Sequence, residues 1–226
     1  MPFDPRFLLL LVPIVAGLIG QYRVRATFAR YREVPASAGL TGGEAAGKLL
    51  ELHGLPDVRL EHTKGTLSDH FDSDAKTLRL SDDVADGRSI AALAVAAHEV
   101  AHAHQDAAGH RIYRLRMRVG RPVMQLAQWS GLIFIGGFWF GIPVLMAAAG
   151  LLVIGLAAFA LVTLPVELGA SRLAVGWLSD AGLATGAEVP AVRRVLRAAA
   201  STYLASFGHR LGLLLFLLLA VGVVRP

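Results

Sequence analysis

His98, Glu99 and His102 stand in the order His-Glu-Val-Ala-His. On a helix, residues four apart share a face, so the two imidazoles can grip one metal ion. Glu99 lies beside them and can polarise a metal-held water without occupying a coordination position. Zinc lowers the pKa of such a water to about 7; the carboxylate would take its proton during attack on a peptide carbonyl and later hand it to the leaving amine. The preceding segment, Ile90 to Ala97, is apolar and small-sided, suited to burial. Two imidazoles and a carboxylate on a buried helix are costly unless something satisfies them, and a metal ion does so.

A catalytic zinc needs a third protein ligand and an open fourth position. The chain has no cysteine, which excludes thiolate ligands, disulfides and a cysteine nucleophile. Among the remaining ligand types Glu167 stands out, in Thr163-Leu164-Pro165-Val166-Glu167 directly after a long apolar stretch. A carboxylate so near a hydrocarbon boundary wants a partner, which is either the metal or a basic neighbour such as Arg172. Ser171, one turn further on, is placed to hold a ligand imidazole from behind. The other histidines have simpler expectations. His53 precedes Gly54 and caps a helix end, His62 and His110 are solvated, and His104 faces away from His102. His70 lies on a strand, exposed or touching substrate. Tyr203 and His70 are the candidates for stabilising an oxyanion.

These residues must be positioned by elements of two kinds. Hydrophobic residues make up 54% of the chain, and Pro122 to Val166 contains no Asp, Glu, Lys or Arg, about 45 residues where roughly 20 cross a bilayer once. The stretch reads as two antiparallel spans reversing at Gly141-Ile142-Pro143, with Leu164-Pro165 ending the second. Phe7 to Gly20 reads as an uncleaved anchor ending near Tyr22, because four arginines between Arg23 and Arg32 follow it before any small-residue cleavage site. A last apolar run begins near Leu204. Between the spans, Thr41-Gly42-Gly43-Glu44 has capping-box spacing before a short amphipathic helix. Val58–His62, Thr66–Phe71 and Thr77–Leu80 alternate as a small antiparallel meander, and Asp86-Gly87-Arg88-Ser89 opens a helix that runs to about Ala108 and stops at Gly109.

The expected fold class is an α-helical membrane protein of about four transmembrane helices with a small α+β zincin-like catalytic domain. Residues 1–22 would be an anchor, 23–121 the first part of the catalytic domain, 122–165 a transmembrane hairpin, 166–203 the second part with Glu167, and 204–226 the last span. The net charge of +5 is carried by arginines that flank the apolar runs. So placed they are membrane-surface anchors, and no nucleic-acid-binding motif accompanies them. The same arginines put the catalytic domain in the cytoplasm and both termini outside.

The motifs resemble those of the YugP-type neutral zinc metallopeptidases of bacterial membranes. The resemblance is carried by Gly39–Gly42, Gly65–Asp72, Thr77–Ser81, Gly87–Ala92, Ala96–His102 and Thr163–Glu167, and it extends to Ala198–Tyr203, nearly the whole chain. More distantly, two histidines on one helix and a glutamate beyond a membrane hairpin are similar to the membrane gluzincins, the group of the HtpX heat-shock protease and the CAAX-prenyl endopeptidase. The resemblance implies Zn2+ as cofactor, His98, His102 and Glu167 as its ligands, Glu99 as general base, and a substrate cleft bordered by the strand of His70. One departure is Gly169, where the family pattern carries an aspartate.

The expected function is therefore a membrane-embedded zinc endopeptidase of the bacterial cytoplasmic membrane, multi-pass, acting on polypeptides such as damaged or membrane proteins. Two rivals differ in class. A catalytically silent, zinc-stabilised scaffold or chaperone would not need Glu99. A metal transporter would carry ionisable residues within its spans, and Pro122–Val166 has none. Specificity, regulation and oligomeric state leave no mark in the sequence.

Overall fold

The computed structural model describes residues 11–223. Among the described residues eight helices and one three-stranded sheet follow the order α1 (Leu11–Arg32), α2 (Gly42–Leu52), β1 (Arg59–Thr63), β2 (His70–Asp72), β3 (Thr77–Ser81), α3 (Asp82–Ala85), α4 (Ile90–Ala107), α5 (Arg111–Ala127), α6 (Ser130–Trp139), α7 (Pro143–Asp180) and α8 (Val189–Val223). They divide into two units. One holds Tyr22–Arg114 and Val166–Ala200; the other holds Leu115–Pro165 with the outer parts of α1 and α8.

In the first unit, local sequence explains where each element starts. Thr41 accepts a hydrogen bond from the Glu44 N–H while the Glu44 carboxylate accepts from the Thr41 N–H, a reciprocal capping box that starts α2. Ser89 caps α4 by accepting from the Ala92 N–H, and Gly109, at φ +64°, lies just beyond its end. α4 is the centre of the unit. Its alanines let α2, α3, β2 and β3 approach closely, so fourteen of its eighteen residues are buried. Leu49 and Leu50 of α2, Leu78 and Leu80 of β3, and Ala174 and Leu178 of α7 complete the core.

The sheet corrects the expected antiparallel meander. Its order is β1-β3-β2, with β1 parallel to β3 (Arg59 opposite Thr77) and β2 antiparallel to β3 (Phe71 opposite Leu78). Alternation marks strands but carries no information about their order, and consecutive strands pair only about two times in three. Here the tight turn after Asp72 makes β2 and β3 a hairpin, and β3 is inserted beside β1. β3, the middle strand, is buried except at Arg79, while β1 is exposed along most of its length.

The expectation of about four transmembrane helices is also corrected. Among the described residues one helix, α7, is long and apolar enough to cross a membrane. The charge-free stretch is cut by two interruptions, after Ala127 and after Trp139. What was expected as the first arm of a hairpin is therefore the end of α5 and a ten-residue α6, about 15 Å long against a hydrocarbon core of about 30 Å. α5 itself carries five arginines and Pro122. The reversal does fall at Gly141, φ +65°, and α6 packs so closely on α7 that a Cβ on Gly137 would lie 2.9 Å from that of Leu145. α1 continues past Tyr22 through Arg23, Arg25 and Arg30, and the start of the expected anchor lies outside the described residues. α8 is continuous from Val189, with no break near Leu204.

Pro165 does not end α7 either, although the sequence suggests a stop there. The helix runs unbroken from Pro143 to Asp180. Along it Met146, Ala149, Val153, Leu156 and Ala160 are buried at helical spacing, while Val144, Leu151, Ile154 and Leu161 are exposed, an apolar surface of the kind that faces lipid.

Candidate metal centre

α4 brings His98 and His102 to one face, as four-residue spacing requires, and α7 brings Glu167 to meet them. The imidazole Nε2 atoms of His98 and His102 lie 3.1 and 3.5 Å from the same carboxylate oxygen, Glu167 Oε2. One ligand atom from each residue can be chosen so that all three lie within 4.8 Å of one another. All are buried: His98 is 8% exposed, His102 6% and Glu167 3%. Val166, Ala170, Ala174 and Leu178, spaced about four apart on α7 and fully enclosed, fix the rotation that turns Glu167 inward.

Gln105, one turn beyond His102, decides the chemistry of that imidazole. Its Nε2 donates to the Val166 carbonyl at 3.0 Å, so its Oε1 must face His102 Nδ1, also at 3.0 Å. An amide oxygen only accepts, which assigns the proton to His102 Nδ1 and leaves a lone pair on Nε2 in the neutral ring. That lone pair points at a carboxylate oxygen. Two such acceptors face each other stably when a cation lies between them, and two imidazoles with one carboxylate are the ligand set of catalytic zinc. The residues therefore fit the metal. Ser171 Oγ lies 3.4 Å from His98 Nδ1 and backs the other imidazole.

Glu99, 9% exposed, is the fourth member of the group. Its Oε2 accepts the N–H of Phe71 at 3.1 Å, so β2 spends that donor on Glu99 instead of the ladder and presents its outer edge to this carboxylate. Asp69 holds β2 in place from behind: its Oδ1 accepts from both the N–H and the hydroxyl of Ser81. Burial holds the Asp69 carboxyl above the ordinary aspartate range, against the pull of the Ser81 hydrogen bonds.

Sequence reasoning did not single out Gln105 or Asp69. Gln105 left a signal, a polar residue three after His102 on the same face of a buried helix; Asp69 left none, because its partner Ser81 is twelve residues away. Arg172, the alternative partner for Glu167, instead donates to the Leu168 carbonyl. His70 is exposed, with Nδ1 2.8 Å from the Ser68 carbonyl. Tyr203 belongs to the other unit. His53 does cap α2, and its ring stacks on Trp177 at 3.8 Å, with His104 edge-on to the same indole at 5.3 Å. Burial, and next the nearby His104, hold the His53 pKa below the usual imidazole value. His62 lies 2.9 Å from Asp82, a hydrogen bond that raises its pKa. Gly169 faces the Gln105 amide: a Cβ there would lie 3.2 Å from Gln105 Nε2.

The family model described as "Putative neutral zinc metallopeptidase" matches residues 6–222. A relative from Bacillus subtilis (strain 168), named "Putative membrane protease YugP", is 40% identical over 189 residues, 82% of this chain and 83% of its own length. No solved structure matches the chain significantly. The chain belongs to this family of zinc metallopeptidases, and Zn2+ is its cofactor.

Proposed function

We propose that the chain is a membrane-embedded endopeptidase of the gluzincin type, in which His98, His102 and Glu167 bind the zinc and Glu99 is general base and general acid. The observation that carries this reading is the pair of imidazole Nε2 atoms converging on Glu167 Oε2. Zinc bound there would supply Lewis acidity, lowering the pKa of a water and polarising a peptide carbonyl. Its two charges would balance Glu99 and Glu167, so the buried group becomes neutral overall. Gln105 holds His102 with Nε2 free for the metal, and Ser171 steadies His98. Glu99 takes the proton of the attacking water and returns it to the leaving amine.

The substrate is an extended polypeptide. Laid along the outer edge of β2 it would gain main-chain hydrogen bonds with little sequence demand, and its scissile bond would pass the carboxylate that Phe71 orients. Damaged or membrane proteins suit a site on α7, because this helix passes from the membrane into the catalytic unit. The arginines of α1 and α5 favour the cytoplasmic side.

The test uses detergent-purified protein and a Glu99→Gln variant. Both should hold about one zinc per chain, and the variant should cleave an unfolded polypeptide more slowly by roughly a hundredfold or more. Full activity in the variant would remove Glu99 from the mechanism, and absence of cleavage by the parent on any polypeptide would favour the zinc-stabilised scaffold.

A further inference from the structure

Beside the metal centre, on the adjacent face of α7, a cavity of about 400 Å³ opens between α7 and α8. Its charged wall is Arg172, Arg193 and Arg197, and its apolar wall includes Leu168, Val175 and Leu196. A second cavity, of about 420 Å³, shares Arg197 and adds Arg23, Arg30 and Arg194. No carboxylate lines either one. Elsewhere in the same unit three arginines have acidic partners: Arg32 pairs with Asp83, Arg79 with Glu61 and Asp72, and Arg88 with Glu44. Among the described residues none of the six cavity arginines makes an ion pair; Arg194 donates to the Tyr31 hydroxyl and Arg172 to the Leu168 carbonyl. Like charges gathered in this way repel one another unless an anion joins them.

We infer that the cavity bounded by Arg172, Arg193 and Arg197 is a binding site for the phosphodiester headgroup of an anionic phospholipid, with the second cavity extending it through Arg197. The guanidinium fork matches phosphate oxygens two at a time, and it does so best where an apolar wall limits hydration. Position selects lipid over a soluble anion. On α7 the charge-free segment from Pro143 ends at Val166, and Arg172 is the first basic residue after it. On α1 exposed Ile14, Val15, Leu18 and Ile19 precede Arg23. Both arginines thus stand one to two turns past apolar helix surface, where headgroups lie, and Leu168, Val175 and Leu196 would cover the glycerol and first acyl carbons.

The same geometry separates the site from the substrate cleft. Ser171 lines the cavity and touches His98 on Nδ1, whereas Nε2 of that ring faces Glu167. The cavity therefore lies behind His98, away from the metal side. A lipid held there would bear on the zinc ligand through Ser171 without competing with substrate.

The inference rests on the membrane reading of α7 but not on hydrolysis, so the test uses Glu99→Gln protein reconstituted in phosphatidylcholine nanodiscs. Failure to reconstitute would count against the membrane reading itself. Spin-labelled phosphatidylglycerol and phosphatidylcholine then report relative association. Phosphatidylglycerol should be preferred by roughly tenfold, a preference that salt weakens and that Arg193→Gln/Arg197→Gln abolishes. The matching lysine double variant should retain part of it, and zinc content and melting temperature should stay unchanged in both. Equal association of the two lipids, or a preference that survives the glutamine variant, would overturn the site. Displacement by inorganic phosphate beyond a chloride control of equal ionic strength would make it a free-anion site. Displacement by a soluble oligoglutamate would make it a peptide site, and either result rejects the lipid assignment.

Discussion

At the scale of residues, the proposed centre draws its carboxylate from α7, whereas both of its imidazoles come from α4. Glu167 is reached by both imidazoles, and Arg172, its rival partner, is engaged with the Leu168 carbonyl. Glu167→Gln keeps the shape and removes the charge that a divalent ion needs. Zinc affinity, measured by chelator competition, should fall by more than the roughly 10–100-fold typical of losing an outer-shell partner. If Glu167 were only one half of an ion pair near the membrane surface, the change would cost at most about 1 kcal/mol of stability and leave zinc in place. Retained zinc would return the search for a third ligand to His70 and His104.

At the scale of elements, the β2–β3 hairpin sets the edge that borders Glu99, and Asp72 holds its turn. One carboxylate oxygen of Asp72 accepts the N–H groups of Asp74 and Ala75, each at 3.0 Å, and the other accepts from Arg79 at 2.8 Å. The Ala75 N–H, and then Arg79, pull its pKa down from the ordinary 3.8 to about 2. A carboxyl with a depressed folded pKa adds stability that is fully present above its unfolded value and is lost as pH falls through the folded one. The protection of residues 70–81 against backbone hydrogen exchange, taken relative to the intrinsic rate at each pH, should therefore fall between about pH 4 and pH 2. The metal-free protein is the one to use, so that ligand protonation does not enter. Asp72→Asn should exchange faster at neutral pH and lose this acid step; an unchanged acid step in the variant would assign it to another group.

At the scale of the whole molecule, α7 joins an apolar segment to the unit that holds Glu167 in one unbroken helix, as the proposed membrane location requires. Two outcomes are expected in cells. The chain should stay with the membrane through alkaline carbonate extraction, because the exposed apolar side chains of α7 have no soluble partner. Reporters inserted near Gly109 and near Gly182, both in the unit that holds Glu167, should both report cytoplasm. Release by carbonate would sink the membrane reading, and reporters in opposite compartments would separate Glu167 from His98 and His102.

The parts legible from the chain alone are those set by short-range rules. Four-residue spacing put His98 and His102 on one face, the Thr41–Glu44 box started α2, and Ser89 and Gly109 bounded α4, because caps and helical periodicity need only neighbouring residues. Glu167 was legible as a candidate because a carboxylate beside an apolar run is rare, and the family resemblance pointed to the same residue. What stayed hidden involves partners far apart in sequence. The insertion of β3 between β1 and β2, the hold of Asp69 on Ser81, and the Phe71 N–H on Glu99 all depend on which surfaces the core brings together. The number of spans was hidden for a related reason. Composition measures how apolar a stretch is, whereas crossing a bilayer requires an unbroken helix of sufficient length, and the interruptions after Ala127 and Trp139 are properties of the folded backbone. Only the packing of α7 against α4 decided that Gln105 bonds Val166 and thereby sets the tautomer of His102, because that contact joins two residues 61 apart in the chain and exists only once their helices lie side by side.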